Sequence, residues 1–234
     1  VILASTLNQA VVYRNESTVG SLNFTVAATL DAGSAPVAPA IADLDGDGYL
    51  DIAIAGYDSS TLHVFKNMMA TAGSLSFTQQ GNALDTDLGP FGLRIGDFDL
   101  DGKPDIATVN VGSNSLSLFR NTSTLGTLTY ADRIDVPTGS TPFEICLGDL
   151  DKDGLIDIAV ANFAGNNVSV LKNASTIGSL SFSLGAELPV NTNPTSVAIG
   201  DLDLDGTADL AAATWSGTVV AFHNFSTPGN FNLV

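Results

Sequence analysis

Three observations predict an all-β fold built from repeated units of four short antiparallel strands. An acidic nonapeptide begins at Asp43, Asp97, Asp149 and Asp201, at spacings of 54, 52 and 52 residues. A second marker, apolar-basic-Asn, keeps the same period in five copies: Tyr13-Arg14-Asn15, Phe65-Lys66-Asn67, Phe119-Arg120-Asn121, Leu171-Lys172-Asn173 and Phe222-His223-Asn224. No window carries the i, i+3, i+4, i+7 apolar spacing, with caps, of a three-turn helix. Four strands repeated at this period are the arithmetic of a blade packed radially around an axis, so the architecture expected is a β-propeller. A linear β-solenoid, whose repeats are usually shorter, is the alternative.

Each unit opens with a proline seven residues before its first Asp, at Pro36, Pro90, Pro142 and Pro194. In one representative unit the first strand is expected from Phe143 to Gly148, the second from Ile158 to Ala161, the third from Val168 to Leu171 and the fourth from Leu180 to Leu184, with Gly, Pro, Asn and Asp clusters between them. A glycine shortly after each marker Asn opens the outer segment: Gly20-Ser21-Leu22-Asn23-Phe24, Gly73-Ser74-Leu75-Ser76-Phe77, Gly126-Thr127-Leu128-Thr129-Tyr130, Gly178-Ser179-Leu180-Ser181-Phe182 and Gly229-Asn230-Phe231. Blades are therefore expected at 34–85, 88–138, 140–190 and 192–234. Residues 1–30 supply the second, third and fourth strands of a further blade without its inner strand, about 4.75 blades in all. A ring of seven would need about 360 residues at this period, so closure calls for a longer chain or another molecule.

The charge is not spread evenly. Of 25 acidic residues, sixteen lie in the four nonapeptides, and without them the formal charge of −17 would be −1. Acidity this concentrated points to cation sites rather than to a generally solubilising surface. No apolar run approaches the ~18 residues that cross a bilayer, and no basic stretch could neutralise phosphates, which argues against a membrane span and a nucleic-acid site. The single cysteine, Cys146, has no partner for an internal disulfide.

Each nonapeptide reads Asp-x-Asp-x-Asp-Gly-x-x-Asp. The four sets are Asp43, Asp45, Asp47 and Asp51; Asp97, Asp99, Asp101 and Asp105; Asp149, Asp151, Asp153 and Asp157; and Asp201, Asp203, Asp205 and Asp209. Four carboxylates this close repel one another unless a hard cation is present, and Ca²⁺ accepts six to eight oxygens at flexible geometry. Carboxylates at positions 1, 3, 5 and 9 would combine with a backbone carbonyl at position 7, from Tyr49, Lys103, Leu155 or Thr207, giving four calcium sites. Glycine at position 6 permits the positive φ that turns the loop toward the ion. Position 12, where an EF-hand needs a bidentate Glu, is Ile54, Thr108, Val160 or Ala212, so that motif is excluded. Turn formation without any ion is the competing reading, but it does not require four carboxylates at one spacing in four copies.

Ile41-Ala42-Asp43-Leu44-Asp45-Gly46-Asp47-Gly48, repeated as Ile199-Gly200-Asp201-Leu202-Asp203-Leu204-Asp205-Gly206, resembles the FG-GAP or VCBS repeats, and similar repeats build the integrin α-subunit propeller. The resemblance covers essentially the whole chain. It implies a loop between the first and second strands of each blade that binds calcium, and the outer segments look like those of secreted bacterial proteins. An extracellular setting is expected, where millimolar calcium suits the weaker affinities of such modules.

Other residues are read more plainly. His63 and His223 fall at mainly polar strand positions and are expected to face solvent; Cys146 is expected to pack in an inner strand. Trp215 shares the register of Tyr57, Val111 and Phe163 and is expected between blades, with a ligand-facing ring as the alternative. Asn15, Asn23, Asn121, Asn167, Asn173 and Asn224 each begin an Asn-x-Ser/Thr triplet and are candidate N-glycan sites, although a turn-forming role explains the recurrent Asn without sugar. No nucleophile has a partner base, and four equivalent acid sets are unlike an active site, so the chain is expected not to be an enzyme. The expected role is a structural or adhesive binding scaffold of a surface or secreted protein, with an unknown protein or glycan as ligand. The alternatives are a self-assembling filament subunit completed by strand donation at the incomplete first blade, and an accessory domain of a secreted hydrolase.

Overall fold

Short apolar segments broken every few residues by Gly, Pro, Asn and Asp can bury their surface only as stacked sheets, and the chain does so. The computed structural model describes residues 2–6, 8–69, 75–79 and 81–234, the first stretch as backbone alone. The first sheet holds β1 (Ile2–Thr6), β2 (Gln9–Asn15) and β3 (Phe24–Asp31) in that order. The second is β4 (Pro36–Ala42), β5 (Asp51–Gly56), β6 (Thr61–Asn67) and β7 (Phe77–Gln79), with β8 (Leu84–Asp85) also on β6. The third is β9 (Pro90–Gly96), β10 (Asp105–Asn110), β11 (Ser115–Phe119) and β12 (Ile134–Pro137). The fourth is β13 (Pro142–Gly148), β14 (Asp157–Asn162), β15 (Asn167–Asn173) and β16 (Phe182–Pro189), and the fifth β17 (Pro194–Gly200), β18 (Asp209–Thr214) and β19 (Val219–Phe222). All pairs are antiparallel and, apart from β6 with β8, join neighbours in the chain; there is no helix among the described residues.

The second strand of each unit explains the stacking. In β14 every residue is buried. Ile158 and Val160 point to one side, among Val109, Leu116 and Leu118 of the third sheet and Phe98 of its acidic loop; Ala159 and Ala161 point to the other, with Leu210 and Ala212 of the fifth. Such two-sided burial reads as a near-continuous apolar run, and each Val, Leu or Ile so buried stabilises the stack by about 1.5–3 kcal/mol. Equivalent clusters join the first sheet to the second and the second to the third. The first strands β4, β9, β13 and β17 contact one another in sequence, which gives the sheets a common inner edge. This is the layout of propeller blades rather than of solenoid coils.

The outer strand lies later in the chain than the sequence suggests. Gly178-Ser179-Leu180 closes a tight hairpin, bridged from Thr176 to Ser179, and the fourth strand follows as Phe182–Pro189. Gly126 and Gly178 take φ of 80° and 86° at these turns, a conformation glycine adopts without strain. The same turn recurs at Thr18–Ser21 and Thr227–Asn230; Gly73 and Ser74 of the second unit lie outside the described residues.

The two ends of the strands differ in chemistry. The acidic loops join first to second strands at one end. At the opposite end Tyr57, Phe91, Phe143, Phe163 and Trp215 form a continuous row of ring contacts with centroids 4.6–6.3 Å apart. Trp215 does meet the preceding blade, edge-on to Phe163, but is 78% exposed rather than packed away.

Candidate metal centres

The four loops share one hydrogen-bonded frame. The first-position carboxylates of Asp43, Asp97, Asp149 and Asp201 accept the backbone N–H of the glycine at position 6, from Gly48, Gly102, Gly154 and Gly206, at 2.9–3.0 Å. Asp47, Asp101, Asp153 and Asp205 accept the N–H of Tyr49, Lys103, Leu155 and Thr207 at 3.0, 2.9, 3.0 and 2.6 Å, which fixes position 7 beside the acid cluster. Gly48, Gly102, Gly154 and Gly206 all have positive φ, and position 4 does too: Gly46 at 74°, but also Leu100 at 58°, Lys152 at 58° and Leu204 at 66°.

Carboxylate oxygens converge in every loop. Asp43, Asp45 and Asp51 bring ligand atoms within 4.8 Å of one another, as do Asp97, Asp99 and Asp101; Asp149, Asp151 and Asp157; and Asp201, Asp203 and Asp209. The third-position groups of the first three loops are almost wholly buried, and Asp151 Oδ1 is sealed from water with no hydrogen-bond partner. An unpaired carboxylate oxygen in that setting is costly, and a hard cation would satisfy it, so the residues present fit calcium.

The ninth-position aspartates are more than ligand candidates. Asp51 accepts the N–H of Leu44 at 3.0 Å on one oxygen and of Asn67 at 2.8 Å on the other, tying the loop to the third strand. Asp105 does the same with Phe98 and Asn121, Asp157 with Leu150 and Asn173, and Asp209 with Leu202 and Asn224. Burial, reinforced by the neighbouring loop carboxylates, outweighs these N–H groups and pushes Asp51 and Asp157 up to about 6 and Asp105 to about 7.

Both halves of the apolar-basic-Asn marker serve this frame, which sequence reasoning missed. The base reaches positions 3 and 5 of its own blade's loop: Lys66 bridges Asp45 and Asp47, Lys172 bridges Asp151 and Asp153, and Arg120 lies 3.8 and 3.5 Å from Asp99 and Asp101. His223 takes the same place, 2.9 Å from Asp203 and 3.6 Å from Asp205, and so faces the acid loop rather than open solvent. The Asn is a staple between blades. Asn121 Nδ2 donates to Pro104 O in its own blade and to Leu44 O in the preceding one; Asn173 does so to Ile156 and Phe98, and Asn224 to Ala208 and Leu150. The other end of the same side chain forms the expected turn, since Oδ1 of Asn15, Asn121, Asn173 and Asn224 accepts the N–H two residues on, at 2.8–2.9 Å. The amide nitrogens of Asn121, Asn173 and Asn224 are buried and committed, which leaves no room for a glycan there; Asn15 and Asn23 are exposed and Asn167 is half-buried.

The remaining residues are quickly placed. Cys146 packs against the core from β13, and burial pushes its thiol up to about 12. His63 is half-buried, with its ring nitrogens 3.1 Å from Thr61 and 3.2 Å from Gln79.

Fold and loops together define a repeat β-propeller chain with an acidic nonapeptide in the first hairpin of each of four blades. A family model described as FG-GAP-like repeat matches residues 1–54, 43–108, 97–160 and 149–212. The chain belongs to this FG-GAP-like repeat family. None of the curated proteins matches it significantly in sequence.

Among solved structures, BBS1N in complex with ARL6DN, soaked with lead, is similar with a TM-score of 0.54 at 13% identity, over 87% of this chain and 56% of that one. Proteins from Bacteroides uniformis and Bacteroides fragilis, each described as a “putative 6-phosphogluconolactonase”, give TM-scores of 0.62 and 0.64 at 14% and 18% identity, over 99% and 97% of this chain and 68% and 64% of theirs. The chain thus spans between 56% and 68% of the length of these structures. They correct the expectation that the chain is not an enzyme, because proteins bearing an enzyme's description share its fold. At these identities the likeness extends to the fold alone.

Proposed function

We propose that the chain is a calcium-stabilised propeller module of an extracellular protein, in which each loop holds one Ca²⁺. The observation that supports this is the fourfold convergence of loop carboxylates, three of whose clusters are drawn out of water around oxygens that a cation would satisfy. Ligands would come from positions 1, 3, 5 and 9 together with the carbonyl at position 7. Binding would couple to folding by mass action, since the unfolded chain has no preformed site. The partner proposed is a protein or glycan, and exposed Asn15 and Asn23 are the acceptors proposed for N-glycans in a host that uses them. Calorimetry should count four calcium ions per chain, and EDTA should lower the melting temperature substantially. An unchanged melt with EDTA, or four ions still counted in the Asp149→Ala/Asp153→Ala double variant, would defeat the ligand assignment.

A further inference from the structure

The geometry points to the fourth loop, with His223, as a mixed nitrogen–oxygen site for a borderline divalent transition ion such as Zn²⁺. The Lys66, Arg120 and Lys172 side chains at the equivalent register carry positive charge and have no lone pair to offer a metal. His223 alone replaces them with an imidazole. Its Nε2 and one carboxylate oxygen each from Asp203 and Asp205 lie within 4.8 Å of one another. The nitrogen is 2.9 Å from one carboxylate and 3.6 Å from the other, and tetrahedral Zn²⁺ at ~2.0–2.1 Å from its ligands sets them roughly 3.3 Å apart.

The nitrogen is aimed into the cluster yet unused there. The side chain is 37% exposed with Nε2 itself covered, and although Nε2 stands 2.9 Å from Asp203 Oδ2 it makes no aligned hydrogen bond. The ring itself is held. It packs on Phe225 with centroids 4.0 Å apart, and the His223 backbone exchanges two hydrogen bonds with Val234, at 2.8 and 3.0 Å. A cleft of about 300 Å³ lined by Leu202, Asp203, Asp209, Ala221 and His223 gives an ion and its remaining water a way in. Imidazole suits zinc, nickel and copper, whereas calcium prefers an all-oxygen shell. Because Asp203 and Asp205 also belong to the calcium loop proposed above, the two ions would compete here and at no other loop.

The test titrates ZnCl₂ into the whole chain by calorimetry, with Co²⁺ absorption as the report of nitrogen ligation. One zinc per chain is expected, with calcium stoichiometry reduced by one in its presence. His223→Lys, which restores the residue found at Lys66 and Lys172, should weaken zinc binding by more than about tenfold, the least that loss of even a supporting partner of a ligand costs. It should leave the melting transition intact, and His223→Gln should repeat the loss while His63→Gln should not. Zinc affinity unchanged in both His223 variants, or lost equally in His63→Gln, or absent from the parent chain, overturns the assignment. Zinc at this loop with no calcium at the other three would instead sink the calcium reading and leave this one standing.

Discussion

The loops at 43–51, 97–105 and 149–157 and the loop at 201–209 carry one motif but sit in different surroundings. The third-position carboxylate is 4%, 1% and 0% exposed at Asp45, Asp99 and Asp151, while Asp203 is exposed. The cause lies in the next blade. The Gly126 and Gly229 N–H groups donate to the carbonyls of Asp45 and Asp151, and Gly178 donates to the Asp99 carboxylate itself. The stapling Asn side chains then clamp the carbonyls of Leu44, Phe98 and Leu150. Among the described residues nothing does this for the fourth loop, and Leu202 is 62% exposed where Leu44, Phe98 and Leu150 are buried. Desolvation of an acid cluster is thus a property of a pair of blades, not of nine residues. The same four charges are costlier to leave uncompensated in the first three loops than in the fourth.

The largest expected effect tests that difference at position 9. Asp157→Ala strands two buried N–H groups, of Leu150 and Asn173, at about 1–3 kcal/mol each, so roughly 2–6 kcal/mol of stability should be lost. Asp209→Ala should cost about half as much, because the Leu202 N–H can turn to water. Urea denaturation of both variants measures the ratio, and equal losses would mean the covering blade does not set the cost.

Next come the built-in bases. Lys66 and Asp45 are both buried, so in chelator Lys66→Met should lose about 3–5 kcal/mol by leaving an uncompensated charge. His223→Ala removes a contact between half-exposed groups and should lose less than about 1 kcal/mol. Added calcium should repair Lys66→Met, since the ion supplies the missing charge. Failure of that rescue would separate the lysine's role from the metal's.

The pH profile should show a more gradual change. Asp51, Asp105 and Asp157 bind their protons more tightly folded, to about 6, 7 and 6, than a carboxylate does unfolded, near 4. The stability they confer is present below pH ~4 and is lost as pH rises through about 6–7, so the metal-free protein should weaken across that window. Calcium should flatten the slope. Urea midpoints at pH 4.5, 6 and 7.5 in EDTA check it, and a metal-free stability that climbs over this range contradicts the buried environment of the three carboxylates.

What was legible in the sequence is what is local. The period, the first three strands of each unit and the acid loops are all contained in stretches of a dozen residues whose pattern matches their geometry. Contacts from farther away left no local signature. Lys66 meets Asp45 from 21 residues away and Gly178 meets Asp99 from 79, so the bases read as ordinary polar strand positions and the glycines as the start of a strand. The outer strand was displaced for a related reason: Leu180-Ser181-Phe182 alternates like a strand, but its first half is a hairpin turn fixed by Gly178. Trp215 read as packing because its register is apolar, yet the preceding blade offers its ring only Phe163, met edge-on.

The smallest effect concerns position 4, where the loops differ in backbone strain. Leu204 has φ of 66° and is 87% exposed, so its side chain contributes little burial while its backbone sits in a region costing an L-residue about 1–2 kcal/mol. Leu204→Gly relieves that but loosens the unfolded chain by about 0.4–1 kcal/mol, so a net gain of roughly 0.5–1 kcal/mol is expected. The reciprocal change is available in the first loop. Gly46 has φ of 74° and a Cβ built there meets nothing within 4 Å, so Gly46→Ala should lose stability through the backbone alone. Opposite shifts of the urea midpoint in the two variants would show that left-handed backbone at this position is imposed by the loop itself, in covered and uncovered blades alike. A neutral Gly46→Ala would place the strain at Leu204 outside that shared geometry.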